Sequence, residues 1–433
     1  MTDAVSLSNH FLIHGVDTRV VAVPATIDGN ICHTYLQSAI GFDTAAKMYS
    51  QLIGNMLTDS ASAVKYWYFM RLMGQQPSHL ALECALKTSP NIVIISEESN
   101  ARHETLQKIV SNLCDVIVKR AEDNKNYGCI IIPEGLLLNI PTVNNLIQEL
   151  NDLFDGCKNS EEFRQLKEKL LDGEEIKQLL SEWSYALFRV FPEFIKTQML
   201  VSREMSGKIN IASVETEKML AYFCDIELQA RKAAGAYKGG FSPVTHFFGY
   251  QGRSAHPSRF DCSLGSTAGF TAGVLIEAGL TSVAVSVKEL TEDPSKWRVG
   301  GVPLLALLQS QPSYKEEDLI VPSENVSLDS RAYQVLKSHM HKWKLSDHYT
   351  NPGPNQFYLD ELKPEKVLSE TIKLRFSRQD DLMSQIRGLC NSIQNDALYS
   401  EHEHLLFAAL SSLKSAKNVI NSMSNTRDEE LNF

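Results

Sequence analysis

The sequence predicts a three-layer α/β fold of two Rossmann-type lobes carrying a helical insertion. Three observations predict it. At 433 residues the chain is too long for one compact core and suits two lobes of roughly 150 to 200 residues each. Short, continuous apolar runs alternate with helical stretches, the pattern of a mainly parallel sheet covered on both faces. From about 141 to 235 the apolar period is helical throughout, with no strand between, so this region reads as an insertion.

The elements follow in order. Thr18 to Val23 reads as a short buried strand, and Ala25-Thr26-Ile27-Asp28-Gly29-Asn30 as the polar loop at its C-terminal end, which is where ligands bind in open α/β sheets. Two more apolar runs, Asn91 to Ser96 and Cys129 to Ile132, each end in acidic residues, Glu97-Glu98 and Pro133-Glu134-Gly135. Helical stretches at 38–58, 78–86 and 103–121 separate these strands. In the insertion, Leu146/Leu150/Leu153, Phe163/Leu166/Leu170, Ile176/Leu179/Leu180 and Met219/Leu220/Phe223/Ile226 mark buried faces. Beyond Gly239-Gly240 comes the segment His246 to Arg253, then a helix in which Gly265, Gly269 and Gly273 form a face without side chains, suited to close packing on a sheet. Thr281 to Val287 supplies a strand, Asn351-Pro352-Gly353-Pro354 a turn, and Leu406, Leu410, Leu413 and Ile420 a last amphipathic helix. The polar residues 425–433 are expected to fray.

Composition excludes several classes. With 43% hydrophobic and 22% charged residues, the sequence has no apolar run near the roughly 20 residues of a membrane span. A net charge of −10 gives no general attraction to nucleic acid, so a phosphate site must be a local cluster of cations and backbone N–H groups. The first ten residues lack a basic region and an apolar core of a secretion signal. The eight cysteines are scattered without metal or disulfide spacing, and the expected location is the cytoplasm.

Neither a GxxxxGK[ST] loop nor a GxGxxG fingerprint is present. Asp28, beside Thr26 and Gly29 on a loop after a strand, could take the proton from a substrate hydroxyl, although such an aspartate equally serves as a turn or capping residue. Lys65-Tyr66 and Met73-Gly74-Gln75 could present a cation and backbone N–H groups where a helix gives way to a glycine turn. Glu134 could accept hydrogen bonds from sugar hydroxyls or cap a helix. In Tyr250-Gln251-Gly252-Arg253, glycine admits a ligand to the backbone and Arg253 offers a planar fork for phosphate. Glu401-His402-Glu403-His404 resembles a metal-ligand run but opens a helical pattern, and His246 reads as a core histidine.

Taken in this order, these clusters resemble the long form of pyrophosphate-dependent 6-phosphofructokinase. Val23 to Asn30 is similar to its VPxTIDGD segment, Arg71 to Gln75 and Ser78 to Leu86 to its RLMGR and SHxALECAL blocks, Ile132 to Leu136 to its IPEGL, and His246 to Arg253 to its HFFGYxGR. Glu215 to Lys218 and Asn351 to Pro354 extend the resemblance along the chain. It implies phosphofructokinase-like lobes and magnesium-assisted, reversible transfer of phosphate from pyrophosphate to O1 of fructose 6-phosphate. By position it implies Asp28 as general base, and Thr26, Ile27, Lys65, Tyr66, Met73, Gly74, Gln75, Glu134, Tyr250, Gln251, Gly252 and Arg253 as sugar-phosphate contacts, with no metal ligand assigned. It also implies a homo- or hetero-oligomer.

Departures from the pattern qualify the expectation. The family's Gly-rich donor-binding lobe is expected to be truncated, leaving residues 1–40 as its remnant, 41–253 as the fructose 6-phosphate lobe, 254–345 as a return to the first lobe and 346–433 as a helical C-terminal segment. The family's GDLK reads Gly29-Asn30-Ile31-Cys32 here, and its MGR reads Met73-Gly74-Gln75. An acid that would hold hydrated magnesium and two cations are thereby replaced. The alternative expectation is a catalytically impaired regulatory or sugar-phosphate-binding subunit.

Overall fold

The computed structural model describes residues 2–31, 35–74, 77–155, 162, 164–166, 176–203, 208–312, 317–354, 371–372, 374–376, 385–386, 388–389, 391–393, 407–408 and 410–418. The chain divides into two units, Met1–Ile372 and Lys373–Phe433. In the second unit the described residues are helical, and Leu410 and Leu413 are exposed. Leu406, Ile420, the run Glu401 to His404 and the tail from 425 lie outside the described residues.

In the first unit, helix α1 (Thr2–Ile13) precedes three two-residue strands, β1 (Val21–Ala22), β2 (Ala25–Thr26) and β3 (Ile40–Gly41), and the long helix α2 (Phe42–Ala63). Then follow β4 (Trp67–Leu72), α3 (His79–Thr88), β5 (Ile92–Val93), α4 (Ser96–Ala101), α5 (Leu106–Glu122) and β6 (Gly128–Pro133). The insertion supplies α6 (Pro141–Asp155), α7 (Ile176–Leu179), α8 (Glu182–Val190), α9 (Glu193–Val201) and α10 (Thr216–Ala233). The chain returns through β7 (Pro243–Phe248), the single turn α11 (Tyr250–Arg253), α12 (Arg259–Glu277), β8 (Val283–Lys288), β9 (Arg298–Pro303), the ribbon β10 (Gln309–Pro312) and β11 (Glu317–Ile320), and α13 (Arg331–Trp343).

Strands β5-β6-β4-β7 form an all-parallel sheet. Its two central strands are buried at every residue, as strands covered on both faces must be. Side chains alternate across β4: Trp67 and Phe69 enter the core with Ile130, Ile132 and apolar residues of α5, α6 and α10, whereas the Tyr68 hydroxyl donates to Asp59 of α2 on the other face. The helical insertion thus adds a thick layer to one face only.

A second sheet, β1-β8-β9, pairs β1 with β8 in parallel and β8 with β9 antiparallel. On one face Val5 of α1 packs with Ala284, Val302 and Leu304. On the other, Leu275 of α12 lies so close to Gly301 that a β-carbon there would meet it at 2.9 Å.

Strands β4, β7 and β9 of the two main sheets, and the short strands β2, β3, β10 and β11, are absent from the reading of the sequence. In β4 the charge of Arg71 interrupts an otherwise apolar run. The expected strands at Thr18–Val23 and Asn91–Ser96 shorten to two residues each, the latter because helix α4 starts at Ser96. The glycine face of α12 is the clearest correction. Leu264, Ala268, Thr271 and Leu275 are the buried side, and nothing lies within 4 Å of a β-carbon built on Gly265, Gly269 or Gly273. The stripe faces away from the sheet.

Candidate active site

The C-terminal ends of β4, β6 and β7 lie side by side, and each leads directly into a polar loop: Met73-Gly74, Glu134 and Gly249 to Arg253. Their register brings Leu72 level with both Pro133 and Phe248. The Met73 N–H donates to the Phe248 carbonyl at 3.0 Å, and the Gly74 N–H donates to Glu134 Oε2 at 2.6 Å. Gly74 has φ +156, and a β-carbon there would sit 3.7 Å from Asp28 Oδ1. Asp28 and Glu134 therefore approach the same glycine, from the β2 loop and from the end of β6.

Asp28 is 9% exposed and is held by its own loop. Its N–H donates to Thr26 Oγ1 at 3.2 Å, and β2 is pinned to β3 by the pairing of Thr26 with Gly41. Gly29 adopts φ +65, and a β-carbon there would lie 2.6 Å from the Phe42 ring, so backbone conformation and packing both require glycine. The start of α2 is fixed in turn by α12. Asp261 accepts from the N–H groups of Gly41 and Thr44 at 3.1 and 2.9 Å and from the Thr44 hydroxyl. Ser258 caps α12 and donates to Asp43. Carboxylates at two meeting helix N-termini are favoured by both helix dipoles.

Glu134, 3% exposed, belongs to a buried charge cluster. Arg71, 2% exposed, donates through Nε to Glu217 at 2.6 Å and through Nη1 to the Ala212 carbonyl at 2.9 Å, and its guanidinium lies 3.9 Å over the Phe247 ring. Its Nη1 approaches Glu134 Oε1 only to 3.7 Å. That oxygen is buried and accepts no hydrogen bond. Burial pushes the Glu134 carboxyl above its ordinary range, the Gly74 N–H and Arg71 pull it back, and the nearby Asp28 charge adds to the rise. Burial raises Glu217 as well, against the pull of Arg71.

The turn carrying Arg253 rests on Tyr49 of α2. The tyrosine hydroxyl donates to the Gly249 carbonyl at 2.6 Å, and a β-carbon on Gly252 would stand 2.4 Å from its ring. Burial raises the Tyr49 hydroxyl, and the charges of Glu134 and Asp28 add to this while Arg253 opposes it. Tyr49 is thus in electrostatic reach of all three. Tyr250 and Arg253 are exposed, with the guanidinium 5.5 Å from the Tyr250 ring centre.

Among the sequence candidates, Thr26, Ile27, Asp28, Met73, Gly74, Glu134 and the turn Tyr250 to Arg253 lie on these converging loops. Thr26 acts there by holding the Asp28 N–H, and Gln251 turns its Oε1 back to the Gly249 N–H at 2.9 Å. Lys65 and Tyr66 are not brought in. They precede β4, whose six residues carry the chain about 20 Å to Met73 at the other end of the sheet, and Lys65 lies over the Tyr66 ring. A strand, not a glycine turn, separates the two pairs. Gln75 and Cys32 lie outside the described residues. His246 is half-buried beside Phe248 and Tyr68. Tyr49, Arg71 and Asp261 escaped the reading of the sequence, although Arg71 carried a signal, because a charge inside an apolar run must find a partner when buried.

No group of three His, Cys, Asp or Glu side chains able to hold a metal occurs among the described residues. Asn30 Oδ1 is buried without a hydrogen-bond partner, and a single neutral amide oxygen makes a poor anchor for magnesium.

Residues 2–177 match the family model Phosphofructokinase. Pyrophosphate–fructose 6-phosphate 1-phosphotransferase of Treponema pallidum is 40% identical over 357 residues, which cover 82% of this chain and 62% of that protein. The protein of the same name from Porphyromonas gingivalis is 36% identical over 380 residues, covering 88% of this chain and 68% of its own length. The chain belongs to the phosphofructokinase family. Subunit beta 1 of the Arabidopsis thaliana pyrophosphate–fructose 6-phosphate 1-phosphotransferase is a further relative, 40% identical over 82% of the chain and 61% of the subunit. The chain spans about three-fifths of the length of these first relatives.

Proposed function

We propose that this member of the phosphofructokinase family binds fructose 6-phosphate at the ends of β4, β6 and β7 and takes part in reversible phosphate exchange between pyrophosphate and the sugar's C1 hydroxyl. The observation that carries this reading is the approach of Asp28 and Glu134 to the Gly74 backbone. A base and an acceptor for sugar hydroxyls stand together there, with an arginine turn alongside. In the forward direction Asp28 takes the C1 hydroxyl proton as O1 forms its bond to phosphorus. The bridging P–O bond of pyrophosphate breaks, and orthophosphate leaves with the electron pair. Glu134 Oε1 accepts a hydrogen bond from a ring hydroxyl, and Arg253 holds the 6-phosphate through charge-assisted hydrogen bonds. Catalysis of this kind rests on positioning and charge neutralisation.

The described residues do not fit a magnesium cage, and no step here runs through that ion. The name of the plant relative, a subunit, supports assembly with a second chain, of the same or another kind. A role in glycolysis supports a cytoplasmic location, and no helix among the described residues is long and apolar enough to cross a membrane.

A thermal-shift titration with fructose 6-phosphate tests the site, because a ligand that binds only the native state raises Tm by mass action. A saturable rise that Arg253→Ala abolishes is expected. A wild-type melt indifferent to the sugar, or an equal rise in the variant, would overturn the assignment.

A further inference from the structure

Helix α8 of the insertion has two faces of opposite character. Its start is fixed by Ser181, whose hydroxyl accepts from the Ser184 N–H, and the hydroxyls of both serines donate to Glu149 of α6 at 2.7 Å. Ser184 and Phe188, one turn apart, are the buried side, with Tyr185 and Leu187 packed beside them against the core. Glu182, Trp183, Ala186, Arg189 and Val190 are all exposed, Trp183 at 88% and Val190 at 61%. The other three tryptophans of the chain, Trp67, Trp297 and Trp343, are buried.

A single apolar side chain in water needs no explanation. The arrangement around Trp183 does. At about 3.6 residues per turn, Glu182 and Arg189 lie two turns apart on one flank of the exposed face, Trp183 and Val190 on the other, and Ala186 midway between the rows. Neither Glu182 nor Arg189 pairs with an opposite charge among the described residues, and Arg189 lies 5.9 Å from the Tyr185 ring centre. An acid in the first turn and a base in the last suit the dipole of α8 itself, which accounts for the charges but not for the open apolar row beside them.

This face is complementary to itself when a second copy is turned end for end about a two-fold axis at Ala186. Charged row then meets charged row, with Glu182 opposite the partner's Arg189, and apolar row meets apolar row, with Trp183 opposite the partner's Val190. Each pairing occurs twice, and the small Ala186 lets the two helices close at the centre. A parallel arrangement would set like charges against each other.

We propose that the outer face of α8 is a two-fold, antiparallel contact with a second copy of this chain. It gives a surface to the assembly with a second chain proposed above and is independent of the sugar-phosphate site. A closed pair of this kind needs only one self-complementary patch, and tryptophan and arginine are among the residues that most often carry binding energy at interfaces. The nine residues of α8 span only about 13 Å, so the contact is small and the dimer weak. Its charges set register and direction more than affinity.

Sedimentation velocity of the full chain between about 1 and 100 µM should show monomer giving way to dimer. Tryptophan emission should shift to the blue in parallel, as Trp183 leaves water. Trp183→Ala should lose both changes and keep its Tm. Glu182→Arg alone, or Arg189→Glu alone, should raise the concentration needed for dimer at least tenfold. An equimolar mixture of these two variants should dimerise again, because one copy then carries two arginines and the other two glutamates. The double variant Glu182→Arg/Arg189→Glu should recover as well, although it opposes the dipole of its own helix. Phe270→Ser, on the exposed side of α12, should associate like wild type. A chain that stays monomeric at every concentration would overturn both this contact and self-assembly. A dimer indifferent to the α8 substitutions, a mixture that fails to recover, or a dimer lost in Phe270→Ser would overturn this contact alone.

Discussion

Arg71 places a charge in the middle of a six-residue strand that is otherwise apolar, and the fold spends two carboxylates, a carbonyl and an aromatic ring on it. The close partner is Glu217, not Glu134, because only the Glu217 contact is short. Glu134 is thereby kept near a cation without being captured by it, and one oxygen remains available. Truncating Glu217 would leave the buried Arg71 charge with the Ala212 carbonyl, the Phe247 ring and one carboxylate, Glu134, at 3.7 Å. Glu217→Ala is therefore expected to lower stability by about 3–5 kcal/mol, read from urea unfolding. Lys218→Ala, one residue along on an exposed pair with Glu215, should stay within about 0.5 kcal/mol of wild type. Equal effects in the two variants would show that the buried cluster is not what matters.

Among the elements, α12 is the least finished. Its inner side is sheet-covered, but its outer side shows Phe270 at 81% and Val274 at 64% exposure beside the open glycines. Phe270→Ser removes apolar surface that makes no core contact. It should leave Tm unchanged and lower both turbidity on concentration and binding of an apolar dye. A fall in Tm would mean that Phe270 packs in the native state. The orientation of α12 was not legible in the sequence, because a glycine stripe and a Leu264/Ala268/Thr271/Leu275 stripe both suit close packing and period alone cannot choose between them. Other parts were legible for a simple reason. Asp28 and Glu134 each follow an extended apolar segment, and the ends of parallel strands are where loops carry function, whereas Arg253 was marked by its adjoining glycine and its guanidinium, not by β7. The same logic failed for Lys65 and Tyr66, since β4 was hidden by Arg71 and two ends of one strand looked like one cluster. Tyr49 gave no sign at all, sitting within a helix among residues that read as core.

At the scale of the whole molecule, a net charge of −10 opposes the approach of both anions proposed as substrates. Turnover then depends on local cations, and Gln75 and Asn30 stand where the family motifs carry an arginine and an acid. Pyrophosphate-dependent turnover in a coupled assay is expected to be slow. Restoring both groups, Asn30→Asp with Gln75→Arg, should raise it by about two decades, the scale of a single transition-state charge contact. Rapid turnover by the unaltered chain would remove the significance given to these two positions. The topology also fixes an order of events as the protein is made. Val20 bonds to Thr281, 261 positions later, and β1 pairs with no strand but β8 among the described residues. At ribosomal speeds of roughly 5–20 residues per second, β1 waits on the order of tens of seconds with its edge unsatisfied. The four-stranded sheet, complete by Phe248, is finished earlier. Nascent chains of this protein should therefore spend only the last part of that interval, between Phe248 and Val283, with the four-stranded sheet complete and β1 still waiting for β8.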